Sequence, residues 1–169
     1  MIEIGNGALE KQFTKLGNFD TIPKGFVIFD TRNNPWYPFE EIILDTPKYN
    51  SQLIWNEYRK RYSLIGTPEF LPWHFTVEII DRNPTIQATR PITYKSLVPD
   101  HEEKISICIV GDTSRDVYTP RYYKLIADIC INPYKYIQSW RLHADIGKTI
   151  DLVNIGDNFV SFMLERYFR

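Results

Sequence analysis

The stretch from Lys104 to Asn132, KISICIVGDTSRDVYTPRYYKLIADICIN, decides the fold. Ile105 to Val110 is a short apolar run bounded by polar residues, as expected of a strand buried at the centre of a sheet. After a polar connection, Thr119 offers an N-cap hydroxyl and Pro120 fits the first helical position. Tyr122, Leu125, Ile126, Ile129 and Cys130 then recur at helical spacing, and Asn132-Pro133 stops the run. A central strand followed by an amphipathic helix predicts an α/β layer fold.

Working outward, Gly25 to Asp30 (GFVIFD) reads as a first strand, and Ser51 to Tyr62 as a helix carrying Ile54, Tyr58 and Tyr62 on one face. His74 to Ile80 alternates as a strand, Asp81 to Pro84 reads as a turn, and Thr85 to Thr89 as the return strand of a hairpin. Residues 31–50 and Pro91 to Lys104 are predicted as long loops, Ser139 to Leu142 as a short strand and Gly147 to Gly156 as a loop. Asp157 to Phe168 reads as a closing helix with Phe159, Phe162, Met163 and Tyr167 on one face. Ala8 to Leu16 suits a short helix in a lead-in arm, residues 1–24, before a single domain over 25–169. The expected architecture is a mixed central sheet flanked by helices.

The 169 residues carry 20 Lys+Arg against 21 Asp+Glu, a net charge of −1. That balance argues against a nucleic-acid partner held by bulk electrostatics. No apolar run approaches the roughly 20 residues of a membrane helix, and MIEIGNGALEKQF lacks the basic start and apolar stretch of a secretory signal. A product made in the cytoplasm is expected. Cys108 and Cys130 sit in apolar contexts without metal-site spacing and read as free thiols. Aromatic residues reach 15%, and NNPWYPF (33–39) suits either a core cover or a protein interface. No phosphate loop, dinucleotide turn, nucleophile elbow or paired-cysteine zinc motif occurs. Of the histidines His74, His101 and His143, the last begins HADIGKTID, which gathers Asp145, Lys148 and Asp151 within nine residues. Spacing leaves two readings of that string, a site or a solvated loop.

Several strings occur in an order that resembles the zinc-dependent N-acetylmuramoyl-L-alanine amidases, the family of amidase-type phage lysozymes and peptidoglycan-recognition proteins. They are SQLIWNEYRKR (51–61), WHFTVEI (73–79), ATRP (88–91), KISICIVGDTS (104–114), YTPRYYKLIADI (118–129), RLHADIGKTID (141–151) and DNFVSFMLERYF (157–168). The resemblance implies an amidase-like fold from Gly25 onward. It also implies a zinc ion held by two His and a third ligand, which lowers the pKa of a bound water and polarises the scissile carbonyl. His143 matches the second ligand. The third falls on Asp151 by counting from His143, or on Ile150 by aligning Lys148-Thr149. The first falls on Phe29, which cannot bind zinc. Asp30 would serve only if the strand register slipped by one. Trp73 stands where the family has a catalytic Tyr, and Lys148 matches a catalytic Lys. His74, Arg90 and His101 are the substrate-binding candidates, with Val98 the ungapped alternative to His101.

With the first ligand lost, the resemblance implies a protein without cofactor or catalysis. It would be a structural, virion-associated or binding module of phage type, with peptidoglycan or a protein as partner. One alternative is an active zinc amidase using Asp30, His143 and Asp151. Another is an inhibitor-type module that binds a protein.

Overall fold

The computed structural model describes residues 23–30, 71, 73–80, 82–92, 94–96, 98, 100–135 and 147–168. The expected helices at Ala8–Leu16 and Ser51–Tyr62, the aromatic loop 33–39 and the strand at Ser139–Leu142 lie outside the described residues, as do His143 and Asp145. The described elements are β1 (Gly25–Asp30), β2 (Phe75–Ile80), β3 (Asn83–Ala88), β4 (Ile105–Ile109), α1 (Pro120–Ile131), a short 3₁₀ turn (Pro133–Lys135), β5 (Thr149–Leu152) and α2 (Asp157–Arg166).

The five strands form one sheet in the order β3-β2-β4-β1-β5. Strand β4 lies at the centre, parallel to both β1 and β2, while β3 closes a hairpin against β2 as an antiparallel edge. Every residue of β1 and β4 is buried, which explains their unbroken apolar character. Pro84 is part of β3 rather than of the preceding turn. An edge strand tolerates it because one row of its N–H groups has no ladder to join. The connection from β2 instead uses Arg82 at φ 67°.

The stretch Gly147 to Gly156, expected as loop, contains β5. It pairs in parallel with β1, with Gly25, Phe26, Val27 and Ile28 opposite Thr149, Ile150, Asp151 and Leu152. Four residues between glycine-bounded segments are too few to show a period, so only the neighbouring strand reveals this one. Gly25 makes the pairing possible. Its φ is 142°, and a Cβ there would stand 2.3 Å from the Thr149 carbonyl oxygen.

The register sorts side chains onto two faces. Phe26, Ile28, Phe75, Val77, Ile105 and Ile107 share one face and belong to the main core with Tyr122, Ile126 and Ile129 of α1 and Phe159 and Met163 of α2. Helix α1 starts as its sequence requires: the Thr119 hydroxyl accepts from the Tyr122 N–H at 3.3 Å. Leu125 and Cys130, at the flanks of the expected stripe, are only partly buried against this core. The Tyr122 hydroxyl donates to the Val77 carbonyl at 3.0 Å, tying the helix to the sheet where the phenol is fully buried. Helix α2 carries Asp157 in its first turn and Arg166 in its last, the signs that suit the helix dipole. No helix among the described residues is long and apolar enough to cross a membrane.

Candidate functional site

The second face of the sheet differs in chemistry. It presents Val27 and Phe29 from β1, Thr76 and Glu78 from β2, Ser106 and Cys108 from β4, and Asp151 from β5. All but Asp151 are buried. Phe29, Cys108 and Thr76 form one row across three strands, and Asp151, Val27, Ser106 and the position of His74 form the row before it.

Phe29 and Trp73 meet on this face. Their ring centroids are 5.6 Å apart at 78°, an edge-on contact between two fully buried side chains. The Trp73 indole N–H donates to the Thr76 hydroxyl at 2.8 Å. The Thr76 hydroxyl in turn reaches that of Thr89 at 3.4 Å, and Thr89 donates to the Trp73 carbonyl at 2.8 Å. The polar edge of the indole is therefore spent on a closed circuit at the base of the hairpin. A ring seated this way supports the sheet and has no N–H left to offer a substrate.

His74 is fully buried one residue further on. Its Nδ1 accepts from the Ser106 backbone N–H at 3.0 Å, and its Nε2–H donates to the Tyr94 carbonyl at 2.6 Å. That pattern is the neutral Nε2–H tautomer. Burial opposes a charged ring and lowers the pKa to about 3, although the bond to Tyr94 works the other way. Arg90, also buried, donates from Nε to the next carbonyl, Lys95, at 2.7 Å, with its guanidinium 5.5 Å from the Tyr94 ring centre. His74 and Arg90, two of the substrate-binding candidates, grip consecutive carbonyls of the loop after β3. Ser106, Thr89 and Tyr94, which complete these contacts, carry no signal in the sequence because their partners here, Trp73, His74 and Thr76, lie 13 to 32 residues away along the chain.

Asp30 and Asp151 are not neighbours. Asp151 stands opposite Val27, whereas Asp30 lies three residues beyond Val27 and so faces the other side of the sheet. The Asp30 carboxylate accepts from the Thr113 N–H at 2.9 Å and the Thr113 hydroxyl at 2.7 Å. That hydroxyl also accepts from the Gly156 N–H at 2.9 Å, so Asp30 anchors the β4–α1 connection and the start of α2. Asp30 and Asp151, two of the three ligands expected from a slipped register, thus lie on opposite faces of the sheet, and the third, His143, lies outside the described residues. Within the sheet, Asp30 pairs with Ile109 at the end of the β1–β4 ladder.

Asp151 has other company. Its carboxylate pairs with the Lys104 ammonium and lies 3.7 Å from His101 Nδ1, and Lys104 Nζ reaches that same nitrogen at 3.2 Å. The structure therefore brings together His101 and Asp151, two of the expected site residues, with an unforeseen lysine between them. His101 and Lys104 are three residues apart in sequence, but Asp151 joins them only through the sheet. Lys148 is exposed just ahead of β5, three strand spacings from β2. Val98, the alternative to His101, is buried. Among the described residues no group of three or more His, Cys, Asp or Glu side chains is placed to hold a metal ion. The described residues at the expected first-ligand position do not fit zinc: Phe29 has no donor atom, and Asp30 faces away.

No protein-family model matches the chain, and no curated protein sequence matches it. Among solved structures, PGRP-Hd from Alvinella pompejana is similar, with a TM-score of 0.52 at 10% identity over 88% of this chain and 84% of that one. At that identity the likeness is one of fold, and the amidase-like α/β architecture expected from the sequence is the one this chain adopts.

Proposed function

We propose that this protein is a non-hydrolytic binding module on an amidase-like fold, and that its ligand is peptidoglycan. The observation that carries the non-hydrolytic part is the Phe29–Trp73 contact. The two positions that the family resemblance assigns to a metal ligand and a catalytic donor hold buried rings packed edge to face, with the indole N–H committed to Thr76. Hydrolysis by the zinc mechanism needs a metal-bound water and an open coordination position, and a phenylalanine supplies neither. The ligand is inferred from the fold neighbour, which is named as a peptidoglycan-recognition protein. A protein partner, in a virion or as an inhibited enzyme, is the other reading of such a scaffold, and no described contact favours it.

The test has two arms on the intact chain. Co-sedimentation with insoluble peptidoglycan should retain the protein, while zinc-supplemented digests should release no new amino termini from the wall. Release of L-alanine amino termini that depends on zinc and is lost in His143→Ala would overturn the non-hydrolytic reading. Failure to sediment would overturn peptidoglycan as the ligand.

A further inference from the structure

No further inference is drawn: the strongest candidate, the partly exposed cluster of His101, Lys104 and Asp151 on the second face of the sheet, is an ion-pair network whose members satisfy one another, and nothing in the structure points to a ligand there.

Discussion

Acid should unfold this protein in part through one buried imidazole. His74 is held neutral in the fold, with its pKa near 3, whereas an exposed histidine titrates near 6.5. Below pH 6.5 the unfolded chain therefore takes up a proton that the native chain refuses. Stability from this residue is intact above that value and is lost as pH falls toward 3. Each unit of the interval costs about 1.4 kcal/mol, so the loss is about 2 kcal/mol by pH 5 and about 5 kcal/mol once pH 3 is reached. Against a total stability of roughly 5–15 kcal/mol, this term is large enough to isolate. Carboxylates add their own pH dependence, so the measurement is a difference. Urea unfolding of the wild type and of His74→Gln, each at about pH 7.5 and about pH 5, should give the wild type the steeper decline, by about 2 kcal/mol. The substitution itself should lower stability at the higher pH, because the Ser106 N–H and the Tyr94 carbonyl lose their fitted partner. An equal pH dependence in the two proteins would refute the reasoning. So would an imidazole that NMR finds charged at pH 5 in the native state.

Three further substitutions probe the frame of the sheet and of the helix packed on it. Trp73→Phe keeps the ring contact with Phe29 and removes the bond to Thr76, so denaturant unfolding should show a loss of about 1–3 kcal/mol, while peptidoglycan retention stays unchanged in folded protein. Gly25→Ala forces a Cβ against the Thr149 carbonyl at a backbone angle that L-residues avoid. It should cost well over the roughly 1 kcal/mol of an ordinary glycine replacement, with hydrogen exchange rising first in β5. Thr119→Ala removes the cap of α1 and should cost about 1 kcal/mol, read as a lower thermal midpoint with the core packing intact.

Elements with a strong local signature could be read directly from the residues. Pro120–Ile131 has the predicted bounds because cap, first-turn proline, apolar stripe and Asn-Pro stop are all local. Strands β1 and β4 and the β2–β3 hairpin were legible for the same reason, since a buried apolar run or an alternating one needs no partner to be seen. The tertiary structure alone decided the rest. Strand β5 exists because β1 offers it a parallel ladder, and its four residues carry no pattern of their own. The faces of Asp30 and Asp151 follow from sheet register, in which an odd displacement reverses a side chain. His74 and Arg90 became grips on the Tyr94 and Lys95 carbonyls, and Asp151 a partner of Lys104, through contacts between segments that only folding brings together. A polar residue type records what a side chain can do; whether it meets a ligand or a backbone carbonyl depends on which surface the fold lays against it.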